Sequence, residues 1–156
     1  MMMNLHAKLQ HMGLVIPAAP KPVASYVPAV RSGHLLYVSG QLPMVDGKLL
    51  HVGRVPTQVN LEQAQQAAKQ CVLNALAIVN DHLQGDWSHF DRIVRLGAFV
   101  ASADDFTGQP QVANGASDLL VAIFGDQGRH ARAAVGVNVL PLNAPVEVEL
   151  LLALQS

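Results

Sequence analysis

Two segments near the C-terminus constrain this chain more than any other feature. Arg132–Leu140 and Val146–Leu154 alternate in character from one side chain to the next, and a period of two belongs to a strand with two distinct faces. In the first segment Ala133, Val135, Val137 and Val139 make an apolar face suited to packing under helices. Arg132, Ala134, Gly136 and Asn138 make the other. In the second, Val146, Val148, Leu150 and Leu152 alternate with Glu147, Glu149, Leu151 and Ala153. The short link Pro141-Leu142-Asn143-Ala144-Pro145 predicts that the two strands pair directly. The second face of such a sheet is apolar at one end, small in the middle and sparsely charged. A face like that is expected to pack against copies of the same chain.

The rest of the chain supplies helices for the first face. Asn4–Gly13 reads as a short helix with Asn4 as N-cap and Gly13 as terminator, and Pro17, Pro20 and Pro22 turn the following stretch into a surface arm. Tyr26–Val30 and His34–Ser39 are expected as strands around the turn Arg31-Ser32-Gly33. Asp46-Gly47 is a hairpin signal, with Lys48–Val52 as the returning strand. Asn60-Leu61-Glu62-Gln63 opens a long helix ending near Gly85; its stripe of Leu61, Ala64, Ala68, Cys71, Ala75, Ile78 and Val79 recurs every three or four residues. Ile93–Ala101 is an apolar strand, and a second long helix runs from about Gln109 to Phe124. The order β-β-β-α-β-α-β-β predicts an α+β domain, a mixed six-stranded sheet with two helices on one face. Residues 1–156 are expected to form one domain, with 1–24 as its N-terminal helix and Pro-rich arm.

Composition bears on partners. Hydrophobic residues make up 51% of the 156 and charged residues 13%, about half of the ~25% usual for soluble domains, as a large subunit interface would require. Ten Lys and Arg in all, a net charge of −1 and no basic run argue against a dedicated nucleic-acid binder. A lone Cys71 excludes an internal disulfide framework and a cysteine-based zinc site, and in a helical core stripe it reads as packing rather than as a nucleophile. No stretch reaches the ~20 apolar residues of a membrane span, and Met1–His6 shows no basic stretch followed by an apolar one, so no secretion signal is expected. Cytoplasmic residence is expected.

Few residues are left to carry chemistry. The seven histidines are scattered without metal-ligand spacing, and Ser39 and Ser117 lack a nucleophile-elbow pattern. Arg132 stands on a face otherwise made of Ala, Gly and Asn, and its planar fork suits a carboxylate. Glu147 in the next strand suits orientation or deprotonation of water. Two readings stand here: an interface salt bridge between Arg132 and Glu147 or Glu149, or a binding site. Direct pairing would leave Arg132 six residues, or ~20 Å, from Glu147, so a shared site would need a second subunit.

Ser25-Tyr26-Val27-Pro28-Ala29-Val30, Leu36-Tyr37-Val38-Ser39-Gly40-Gln41-Leu42-Pro43, Ala131-Arg132, Leu140-Pro141 and Val146-Glu147-Val148-Glu149 occur in that order. In this the chain resembles the YjgF-like reactive intermediate deaminase (Rid) family over about residues 24–155. The resemblance implies a chorismate-mutase-like α+β fold, a homotrimer with clefts between subunits, and no metal or cofactor. It assigns Arg132 to the substrate carboxylate, Glu147 to the hydrolytic water, and Tyr26, Ser39, Gly40 and Asn114 to the cleft. Ala134 stands where deaminase members often have Cys. The N-terminal arm and Gly125–His130 are additions that mark a longer subgroup. His130 caps the strand from a turn, or enters the cleft beside Arg132; no partner fixes its tautomer in the sequence. The implied activity is hydrolysis of small 2-imino or enamine acids to 2-keto acids and ammonia. A non-catalytic module binding small carboxylate metabolites is the alternative, and an endoribonuclease is the weakest of the three for want of a basic patch.

Overall fold

The computed structural model describes residues 3–21 and 24–156; Pro22 of the expected arm lies outside them. The elements follow in the order α1 (Leu5–His11), β1 (Ala29–Ser32), β2 (Leu35–Gln41), β3 (Met44–Val45), β4 (Lys48–Leu49), α2 (Leu61–His82), β5 (Phe90–Ala101), α3 (Gln109–Phe124), β6 (Ala131–Val137) and β7 (Val146–Leu154). Local chemistry explains their ends. The Asn4 side chain accepts from the amide of Ala7 at the start of α1. Asn60 and Gln63 form a reciprocal capping box that opens α2, satisfying two amides that a helix start leaves orphaned. Asp46 and Gly47 both take positive φ, 50° and 78°, the turn geometry that matches the twist of a tight hairpin.

The main sheet has five strands in the order β1-β2-β7-β5-β6, and β3-β4 stand apart as a two-stranded ribbon. The expected six-stranded sheet is therefore corrected: the return of the Asp46-Gly47 hairpin ends at Leu49 and never joins the main sheet. Asn74 of α2 holds this ribbon instead. Its buried amide donates to the carbonyls of Leu42 and Met44 at 2.9 and 3.1 Å.

A second correction is topological. β6 and β7 do not pair with each other; β5 lies between them, antiparallel to β7 and parallel to β6. β5, α3 and β6 thus form a crossover unit, in which the helix returns the chain to run parallel. Paired residues share a face, so the register fixes what each side chain meets. Arg132 lies level with Leu96 and, through it, with Leu150, both buried in the core. Val135 lies level with Phe99 and Glu147.

The faces of β6 are consequently the reverse of expectation. Arg132, Ala134 and Gly136 face the helix layer, while Val135 is 45% exposed on the bare side. The reason is close packing. A side chain at Gly136 would run into Gln109 and Ser102, and one at Gly115 of α3 into the backbone of α2. Small residues, rather than valines, fit under α3. β7 behaves as its pattern predicts, burying Val146, Val148, Leu150, Leu152 and Leu154. Trp87, Phe90 and Phe124 close one end of the core, with ring centroids 4.5–5.7 Å apart.

Candidate active site

The candidate residues gather in two groups, on opposite faces of the sheet. The first is built from α3 and β6. Positions three apart on a helix share a face, so Asn114 and Ser117 both present to the sheet margin. Arg132 donates from one terminal nitrogen, Nη1, to Asn114 Oδ1 at 2.8 Å and to Ser117 Oγ at 3.2 Å. Two neutral oxygens hold the guanidinium, and among the described residues no carboxylate pairs with it. Its remaining N–H groups donate to none of the described residues. Ala134, two residues on, is half-buried against the core.

His130 completes this group, and its surroundings correct an expectation. Nδ1 lies 2.6 Å from the carbonyl of Gly128 and Nε2 lies 2.9 Å from Ser117 Oγ. A carbonyl only accepts, so Nδ1 carries the proton in the neutral ring and Nε2 offers its lone pair to the serine hydroxyl. The turn Gly125–Gly128 therefore fixes the tautomer that the sequence left open. Ser117 belongs to the site although it lacks the glycine pattern of a nucleophile elbow. The signal was its spacing of three from Asn114, set against the spacing of two between His130 and Arg132.

The second group sits on the bare face, where β2 meets β7. Pairing slips between Val38 and Gln41, which leaves Ser39 and Gly40 in an irregular stretch beside Glu147. A Cβ at Gly40 would collide with the Glu147 carboxylate: the acid occupies the place where a side chain at this position would stand. Burial pushes the Glu147 carboxyl above its usual value, and the charge of Glu149 adds to the effect. Glu149 itself is held by Arg95 at 2.9 Å. Ser39 Oγ donates to the carbonyl of Val27 at 2.9 Å, tying down the segment before β1 that carries Tyr26, whose ring is 54% exposed.

Cys71 lies beneath Glu147 in the core, fully buried, with its thiol 3.7 Å from the carbonyl of Val146. Burial, and then the Glu147 charge, pushes the thiol well above its ordinary value, which makes it inert. No helix of the described residues is long and apolar enough to cross a membrane.

These groups can be set beside known proteins. The family model described as "YjgF/chorismate_mutase-like, putative endoribonuclease" matches residues 6–154. The chain is 44% identical to Protein TCP17 of Trypanosoma cruzi, covering 96% of this chain and 94% of that protein. It is 29% identical to a 2-iminobutanoate/2-iminopropanoate deaminase of Dermatophagoides farinae, covering 89% and 93%. The crystal structure of Atu1372 from Agrobacterium tumefaciens, a protein of unknown function, superposes with a TM-score of 0.90 at 43% identity, covering 98% of this chain and 93% of that one.

Proposed function

Because this chain belongs to the YjgF/chorismate mutase-like family, we propose that it hydrolyses small 2-imino or enamine acids to 2-keto acids and ammonia. The sites lie between copies of the chain, assembled as a homotrimer in the cytosol. The observation that carries the reading is Arg132: a guanidinium steadied by neutral oxygens, with donors to spare for a carboxylate. The related mite protein named as an imine deaminase supports the same chemistry.

The two groups act together through a second copy. β6 is an edge strand, so Arg132 stands at the sheet margin. The bare face of the sheet carries Val30, Tyr37 and Val135, each about half exposed, an apolar surface that a neighbouring copy would cover. Such a neighbour brings Arg132 of one copy toward Glu147 of the next. Arg132 grips the substrate carboxylate through its planar fork. Glu147, when ionised, takes a proton from water as it adds to the imine carbon. Ser39 and Gly40 bound the cleft beside it, Tyr26 covers it, and Asn114 keeps the guanidinium in place. An imine already hydrolyses in water, so fixed geometry gives useful acceleration without added cofactors.

The experiment is clearance of 2-aminoacrylate, generated in place by a pyridoxal-phosphate enzyme, followed as ammonia and pyruvate release. Wild type is expected to accelerate it and Arg132→Ala to lose that acceleration. Equal rates in the two would remove the activity; retained affinity for 2-ketobutyrate without turnover would instead favour a binding role.

A further inference from the structure

We propose that Ser117 and His130 form a nucleophile–base pair that gives this chain a second, serine-dependent activity: hydrolysis of small carboxylate-bearing esters. The constellation has the parts that such chemistry needs. A nucleophile and a base stand within hydrogen-bond reach, 2.9 Å apart, and a third group orients the base. That third group is the carbonyl of Gly128, 2.6 Å from His130 Nδ1. With the proton held on Nδ1, the Nε2 lone pair accepts from the Ser117 hydroxyl, the arrangement that draws a proton off an attacking oxygen.

Two further residues complete it. Arg132 Nη1 lies 3.2 Å from Ser117 Oγ, so an anion held by the rest of the guanidinium has its neighbouring carbons beside the serine. Asn114 uses its carbonyl oxygen to accept from Arg132. Its NH2 group donates to none of the described residues, and a side-chain amide is an established type of donor to an oxyanion. Four side chains, two from one helix face and two from the segment that leads into and opens β6, thus supply nucleophile, base, carboxylate grip and oxyanion donor. Glu147, on the opposite face of the sheet, has no part in this.

The step balances within these groups. Ser117 Oγ bonds to the ester carbonyl carbon as its proton passes to His130 Nε2, and the carbonyl π pair moves onto the oxygen beside Asn114. Collapse expels the alkoxide, which takes the proton back from His130 and leaves acyl-Ser117. Water repeats the sequence: it gives its proton to His130, bonds to the acyl carbon and displaces Ser117 Oγ, which recovers that proton. The net change is ester plus water to acid plus alcohol.

The test is labelling of the full-length protein by a fluorophosphonate, read by intact mass and peptide mapping. One adduct per chain on Ser117 is expected, absent from Ser117→Ala and formed at least ~100-fold more slowly in His130→Gln, the usual scale of general-base assistance. Hydrolysis of mono-p-nitrophenyl succinate should exceed that of neutral p-nitrophenyl butyrate, a preference that Arg132→Gln abolishes. Failure of folded wild type to label overturns the proposal, as does an adduct mapped elsewhere or a rate unchanged in His130→Gln. Should Ser117→Ala unfold, the mapped site in wild type decides alone. Labelling does not depend on imine turnover, so the two activities stand or fall separately.

Discussion

The two groups of polar residues on this sheet are opposites in construction. Around Arg132 the hydrogen bonds to described residues go to two neutral oxygens, and none of the described carboxylates pairs with the charge. Around Glu147 the decisive neighbour is a glycine, and what the carboxylate meets is space cleared for it and loss of water. The first environment keeps a cation aimed. The second makes ionisation of an acid costly, which is how a carboxyl becomes a stronger base for water. The proposed anchor and the proposed base therefore sit on separate surfaces, each shaped by a different physical means.

Substitutions can break this contrast, and the largest effect is expected at Glu147. Glu147→Gln should lower kcat for imine hydrolysis by roughly 10²–10⁴, the range for a lost general base, with KM little changed. In wild type the acid limb of kcat/KM should fall above the ~4.3 of an ordinary glutamate, and that limb should vanish in the variant. Arg132→Ala comes next: losing a charge-assisted contact of ~1.5–3 kcal/mol predicts a drop of roughly 10–100-fold in kcat/KM, mainly through KM. Arg132→Lys should recover part of it, since an ammonium carries the charge without the fork.

Stability measurements sharpen the same contrast. Gly40→Ala forces the Glu147 carboxylate into another rotamer and should cost about 0.5–1.5 kcal/mol, the scale of a disturbed rotamer, seen as a lower midpoint in urea. The effect should shrink in the Gly40→Ala, Glu147→Ala double variant, where the collision is gone. The smallest effect concerns Glu147 itself. Its carboxyl is raised in the fold, so its contribution favours folding at low pH and is lost as pH rises through the folded value. Glu147→Gln should then be slightly more stable than wild type at pH 7, a margin that disappears toward pH 4. Gain in stability with loss of turnover is the mark of a functional residue rather than a packing one.

Much of the architecture was legible because single segments determine it. The capping pair Asn60 and Gln63, the turn Asp46-Gly47, the boundaries of α3 and the alternation of β7 all follow from local chemistry. β6 was misread because it is an edge strand. Val135 is exposed on the bare side and Val137 packs only against the small cluster of Ala101, Leu140 and Ala144, while Ala134 is the residue of β6 packed on the main core, so apolarity did not track burial. The insertion of β5 between β6 and β7 was illegible for another reason. Neighbouring strands in sequence usually pair, and the link 141–145 gives no sign that they do not.

The candidate site divides in the same way. Arg132 and Glu147 stand out in sequence because charge on a sheet face needs a reason. The Ser117–His130 contact does not, since it joins a helix to a turn across thirteen positions, a distance over which no periodicity speaks.

β5 has a wider consequence. Its two edges carry β6 and β7, with Leu96 opposite Arg132 and Phe99 opposite Glu147. This strand is a common ruler for the positions of Arg132 and Glu147. Its pairing with β7 already skips twice near its start, between Phe90 and Arg92 and between Ile93 and Arg95. A one-residue insertion or deletion between Arg95 and Leu96 would reverse the face that every later residue of β5 presents, against β6 and β7 alike.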